Sequence, residues 1–342
     1  MKVGVVYERR FLEYETEPLS PEGPDRISLL YKELEKKQWL EHIKPRPATT
    51  DELSLVHDIS YIEKVKELSK KGGRLSEDTW ISKYGFEVAS LAVGGVLEAV
   101  DSIMKGRLKR AFAFVRPPGH HAGKESGMGF CIFNNIAIGA CYAIKRFGLK
   151  RIMIVDWDVH HGNGTQEIFY SSQDVLYFSI HQYPFFPDTG YFDEIGEGAG
   201  KGYTVNVPLT VGCGDTDYAN VFRHILVPLI EKFSPELIMV SAGFDAHHLD
   251  PLGEMYLTEE GFGRLAGILL KASKSVCDGR IVFVLEGGHH PEAVYRSSFE
   301  VLRTCYKEDY FEDMEKKEDE SYYKIRPFID TVRQSIKEFW KI

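Results

Sequence analysis

Four stretches of this chain put ionisable side chains directly after an apolar run. They read "RPPGHHAG" (116–123), "DWDVHHGNG" (156–164), "SAGFDAHHLDPLG" (241–253) and "LEGGHH" (285–290). In an extended segment alternate residues face the same way, so Asp156, Asp158 and His160 share one side. Two carboxylates and an imidazole suit a divalent metal. Asp245, at a neighbouring strand end, would complete an Asp–His–Asp set that balances one divalent charge and leaves a fourth tetrahedral position for water. Such a centre acidifies bound water and polarises a carbonyl. The plainer reading of the same residues is a salt-bridged acid pair beside a core histidine.

The adjacent His120 and His121 sit on a glycine turn and supply a base. Each needs a partner on its far nitrogen to fix tautomer and pKa. Asp156 is a candidate for one and Asn163 for the other. An anionic partner makes its ring more basic and a neutral amide does not, which suits an acid and a base working together. The alternative is a pair of histidines capping a turn.

The elements that must hold these residues alternate along the chain. Apolar runs of strand length lie at 2–7, 111–115, 151–157, 175–180, 203–209, 237–243 and 280–286. Most are continuous rather than alternating, as strands covered on both faces are. Helical periodicity lies between them at 24–38, 85–105, 134–147, 216–233 and 258–277. This predicts right-handed βαβ units wound into one α/β sheet, with ligands at the carboxyl ends of its strands. The chain 1–342 is expected to be one domain, with the charged run 311–324 as a solvated linker and a final amphipathic helix within 325–342.

The formal net charge of −9 offers no basic footprint for nucleic acid or an anionic membrane. No stretch approaches the roughly 20 apolar residues of a membrane span, and the stretch "MKVGVVYERRFLEYE" is expected to be too charged and too short in apolar residues for a signal peptide. Five cysteines without a CxxC pair argue against a disulfide framework and for a reducing, cytoplasmic setting. The oligomeric state is not legible.

These motifs, together with "GFCIFNN" (129–135), "FSIHQYPFFPDTG" (178–190) and "GKGYTVNVPL" (200–209), resemble the zinc-dependent histone deacetylase family, including its bacterial and archaeal members and the acetylpolyamine amidohydrolases. The likeness covers 20–300. It implies an arginase-like three-layer α/β/α fold with a central eight-stranded parallel sheet, and hydrolysis of an N-acyl amide on a lysine-like amine. It implies Asp158, His160 and Asp245 as ligands of one Zn2+ per chain, and His121 as the general base beside Asn163, with His120 paired to Asp156. The amide at Asn163 resembles the class II branch. Phe130 and Phe186 match aromatic walls around the acyl-lysine stem, and Gly129 shapes the same tunnel. A structural K+ would use Asp156, Asp158, His160, Ser179 and Ile180, and a second K+ would use Phe169, Ser172, Val175 and Tyr203. Arg26 resembles the family arginine near an internal product channel.

One position departs from the pattern. Efficient acetyl-lysine hydrolases of the family carry Tyr directly after "GG", where its hydroxyl stabilises the oxyanion; this chain has His289, as the poorly active animal class IIa deacetylases do. Loss of one oxyanion donor typically costs about 10²–10³ in rate. The expectation is a zinc deacylase weakened on acetyl, acting on acyl-lysine or an acylated small amine through a mouth bearing Glu77 and Asp78. The rivals are a non-hydrolytic acyl-lysine binding protein and a two-manganese ureohydrolase. The second needs further acids, and Gly162–Asn163 supplies none. His161, His181, His247 and His248 are expected to be structural, and His290 a solvent-side neighbour.

Overall fold

The structure, a computed structural model, describes residues 2–17, 20–307 and 322–342. Its strands are β1 (Val3–Val6), β2 (Leu40–Ile43), β3 (Gly73–Arg74), β4 (Trp80–Ile81), β5 (Arg110–Ala113), β6 (Ile152–Asp156), β7 (Val175–Gln182), β8 (Thr204–Leu209), β9 (Leu237–Ala242) and β10 (Ile281–Leu285). Eight of them form one parallel sheet in the order β2-β1-β5-β10-β9-β6-β7-β8. β3 and β4 make a separate antiparallel hairpin.

Every residue of β5, β6, β7, β9 and β10 is buried, as the unbroken apolar runs require of strands covered on both faces. The helices fall into two packed groups. Gly85–Met104 lies with Asn135–Phe147, while Asp25–Leu34, Glu259–Cys277 and Pro291–Tyr306 pack on one another. The eight-stranded parallel sheet with flanking helices is the expected fold.

Four local expectations change. β2 was not anticipated: its four residues, LEHI, bury only their ends and show no apolar run. Helices Ile59–Ser69 and Pro291–Tyr306 were likewise missed. The stretch 216–233 is not one regular helix. A π-helical turn, Phe222–Leu226, separates Asp215–Val221 from Val227–Phe233, beside Pro228, which has no N–H to give. Of the linker expected at 311–324, residues 311–321 lie outside the described residues. Residues 322–324 instead open the last helix, Tyr322–Ile336, which stops short of 342. Among the described residues no helix is long and apolar enough to cross a membrane.

Candidate active site

The four stretches flagged in the sequence follow β5, β6, β9 and β10, and these are four consecutive strands at the middle of the sheet. Their carboxyl ends therefore meet. β6 stops at Asp156, and 158–160 are bends. Asp158 N donates to Asp156 Oδ1 at 3.2 Å and His160 N to Asp158 Oδ1 at 2.9 Å, side-chain bonds that turn the chain. Strand alternation thus does not carry the motif to His160. Asp156 instead faces His120 and the Tyr177 hydroxyl, while Asp158 and His160 turn toward Asp245.

Asp158, His160 and Asp245 offer ligand atoms that all lie within 4.8 Å of one another. His160 Nδ1 stands 3.1 Å from Asp158 Oδ1 and 3.2 Å from Asp245 Oδ2. Backbone donors aim both acids: Gly287 N reaches Asp158 Oδ2 and Val159 N reaches Asp245 Oδ1, each at 2.8 Å. A Cβ on Gly287 would lie 2.0 Å from Asp245 Oδ2 and 2.6 Å from Asp158 Oδ2, so glycine lets the backbone close over the carboxylates. Burial disfavours a charged His160 ring, yet the two acids override it and raise its pKa to about 10. Asp245 is pushed up by burial and by Asp158. Two crowded, buried carboxylates beside one imidazole make a donor set and field that fit a single divalent ion.

The tandem histidines stand beside this set, their ring centres 4.0 Å apart. His120 Nδ1 pairs with Asp156 Oδ2 at 3.1 Å and His121 Nδ1 with Asn163 Oδ1 at 2.8 Å. Burial opposes charge on both. At His120 the attraction of Asp158 and Asp156 wins and the pKa rises to about 10. At His121 burial is reinforced by His120 and His160, and the pKa falls well below the usual histidine value.

A pocket of about 190 Å³ opens above the set, lined by Phe130, Phe186, Gly129, Leu252 and His289 among others. Phe186 meets the His121 ring edge-on at 5.2 Å and Phe130 meets His289 at 6.1 Å. Gly129 and Phe130 both take positive φ, 55° and 66°, a region a bulky residue rarely enters. The loop after β3 holds them there: Asp78 Oδ2 accepts Gly129 N at 2.9 Å and Thr79 Oγ1 accepts Phe130 N at 3.0 Å. Asp78 also takes the hydroxyls of Ser76 and Thr79. It lines the pocket while its oxygens brace the wall, and Glu77 is exposed.

His289 does not turn outward. Asp250 Oδ2 accepts the N–H groups of His289 and His290 at 2.5 and 3.2 Å, and Asp250 Oδ1 lies 3.4 Å from His289 Nδ1. His290 is no mere surface neighbour; its Nδ1 caps helix Pro291–Tyr306 by accepting Ala293 N. Arg26 is buried behind the same strip, donating to Gly288 O and Glu286 O at 2.5 Å each and pairing with Glu22. Ser179 faces Asp156 across the β6–β7 register, with Ile180 next to it, and its hydroxyl meets His181. Phe169, Ser172, Val175 and Tyr203 lie around the opposite ends of β7 and β8, where Phe169 O and Tyr203 O already accept backbone N–H groups. His161 is tied to Thr189 and Gln166, His247 to Glu259, and His248 to Leu257 O.

Residues 20–305 match the model of the histone deacetylase domain. This chain belongs to the histone deacetylase family. It is 36% identical over 357 residues to the "Probable deacetylase" of Archaeoglobus fulgidus, covering 100% of this chain and 99% of that protein. It is 37% identical over 329 residues to Histone deacetylase 15 of Arabidopsis thaliana, covering 94% of this chain and 58% of that one. The chain thus spans the archaeal relative almost entirely and little more than half the plant one. A crystal structure of the HDA15 HD domain shares the fold with a TM-score of 0.91 at 35% identity, covering 99% of this chain and 95% of that one. Membership in the histone deacetylase family places the chain among deacetylase-type hydrolases of acylated substrates. Sequence reasoning about this family member overlooked Asp250 and gave Glu286 no role. The signals were present: Asp250 is the acid of "DPLG", and Glu286 stands directly before the paired glycines.

Proposed function

We propose that this chain is a zinc-dependent deacylase. Its substrates would be N-acyl amides of lysine-like amines: acetyl-lysine in a peptide, or an acylated small amine. The convergence of Asp158, His160 and Asp245 beneath a pocket walled by aromatic rings carries the reading. Bound there, zinc supplies a Lewis acid that polarises the acyl carbonyl and acidifies water. The rest falls to the protein. Phe130 and Phe186 accept the apolar stem. Asn163 Oδ1 accepts a hydrogen bond from His121 Nδ1–H, leaving Nε2 as a base; the depressed pKa keeps that ring neutral at pH 7. His121 takes one water proton as the C–O bond forms and returns it to the amine nitrogen as the C–N bond breaks; the acid product then gives its remaining proton to the amine, leaving carboxylate and ammonium at pH 7. His120, held by Asp156, keeps its proton beside the cavity. Structural K+ at the two sets of residues described above belongs to the same proposal, as does one catalytic unit spanning 1–342.

His289 weakens turnover of plain acetamides. While Asp250 accepts from Nδ1–H, a neutral ring has no hydrogen on Nε2 to give an oxyanion, whereas a tyrosine hydroxyl has one. The parent, supplied with zinc, is expected to cleave trifluoroacetyl-lysine faster than acetyl-lysine, because an electron-poor acyl group needs less help. His289→Tyr is expected to raise kcat on acetyl-lysine by about 10²-fold. An unchanged rate sinks the oxyanion account of His289. A parent that binds trifluoroacetyl-lysine without cleaving it favours instead the acyl-lysine binding protein, the reading that His289 alone supports.

A further inference from the structure

Glu286 directly follows β10, wholly buried, and no step above uses it. Its Oε2 accepts Gly119 N at 2.7 Å and His120 N at 3.1 Å, and its Oε1 accepts the Ser241 hydroxyl at 3.1 Å. Those two N–H groups belong to the turn that presents the tandem histidines. The carbonyls of that turn are met elsewhere: Pro117 O by Asn135, Gly119 O by Ala122 and His120 O by Thr165. The N–H groups of Gly119 and His120 depend on Glu286. The acid is itself anchored, since Arg26 grips its carbonyl and Ser241 sits on the adjoining β9.

His120, Cys131 and Glu286 also lie close enough to hold an ion. The carboxylate is already filled by three donors, however, and the Cys131 thiol is spent on Gly129 O at 3.4 Å. The cluster serves the backbone. We propose that Glu286 is the positioning residue of the tandem histidines: by accepting two consecutive N–H groups it sets where the His121 ring stands over the Asp158–His160–Asp245 donors. This rests on His121 acting as the base, as argued under the proposed function. The carboxylate is needed as an acceptor. A glutamine offers one oxygen to both N–H groups and its amide N–H to Ser241, whereas an alanine leaves two donors buried without partners.

The test compares parent, Glu286→Gln and Glu286→Ala as full chains loaded with zinc. The readouts are kcat and KM on trifluoroacetyl-lysine peptide, zinc per chain, and amide hydrogen exchange at 117–123. Glu286→Gln is expected to keep kcat within about fivefold, because charge-assisted bonds become neutral ones. Glu286→Ala is expected to lose about 10²-fold in kcat, the typical effect of a misplaced catalytic group, with KM and zinc content unchanged and faster exchange at Gly119 and His120. The proposal is overturned if Glu286→Ala keeps its kcat, or if Glu286→Gln falls as far as Glu286→Ala. It is equally overturned if Glu286→Ala loses zinc and KM together with kcat. A parent that cleaves nothing refutes the deacylase reading instead, and the exchange rates then still decide whether Glu286 holds the turn.

Discussion

Gly287 stands where Asp158 and Asp245, the proposed metal ligands, crowd together, and its lack of a side chain is what lets them. Its N–H also aims Asp158. Gly287→Ala would drive a methyl group into both carboxylates, with no flexible chain end to yield. Its zinc affinity is expected to fall on the order of 10–100-fold, the range seen when groups supporting metal ligands are altered. Competition with a fluorescent chelator measures this directly, and unaltered affinity would show that the acids can spread without cost. Asp250 and Glu286 act at the same scale, each taking consecutive backbone N–H groups and so placing a histidine without touching substrate. The sequence flags both acids by their motifs but not their partners, because those are set by which strand end lies opposite.

At the scale of elements, His57 ties the chain ahead of helix Ile59–Ser69 to the start of helix Asn135–Phe147. Its Nε2 accepts the N–H of Asn134, the residue that caps that second helix. Protonation would break this bond, and burial lowers the His57 pKa from 6.5 to about 4. Between those values the unfolded chain binds a proton that the folded chain refuses. Stability therefore falls as pH drops below 6.5 and levels off near 4, by about 1.4 kcal/mol per pH unit from this residue. Glutamine at 57 can accept from Asn134 without titrating. The stability advantage of the parent over His57→Gln, from denaturant unfolding, should shrink with that slope across the window. A difference that ignores pH would mean that His57 is already charged in the fold. Buried His181, lowered to about 3, acts with the same sign.

Across the whole molecule, the last helix, Tyr322–Ile336, covers the outer edge of the sheet beside β8 and buries Ile325, Ile329, Val332 and Ile336. Lys324 reaches Asp217, Arg333 reaches His224 O, and Trp340 Nε1 reaches Gly202 O at 2.6 Å. A covered edge cannot pair with another chain. The strand ends that bear the candidate site lie at β5, β10, β9 and β6, so this helix should contribute stability rather than chemistry. Ile329→Ala is expected to cost about 2–5 kcal/mol of unfolding free energy while leaving kcat unchanged at temperatures where the variant is folded. A fall in kcat under those conditions would tie the edge to the site.

The amino-acid sequence by itself determined the family and the candidate residues at four strand ends. Unbroken apolar runs ending in Asp, His and Gly need no partner to be recognised, and their order along the chain carries the family likeness. Only the tertiary structure decided that β5, β10, β9 and β6 stand side by side, because sheet order follows from how whole crossovers pack and not from local periodicity. The fold also sets Asp78, in the loop between β3 and β4, against Gly129 N. It brings Asp250 under His289, and it hands Glu286 the turn that bears His120 and His121.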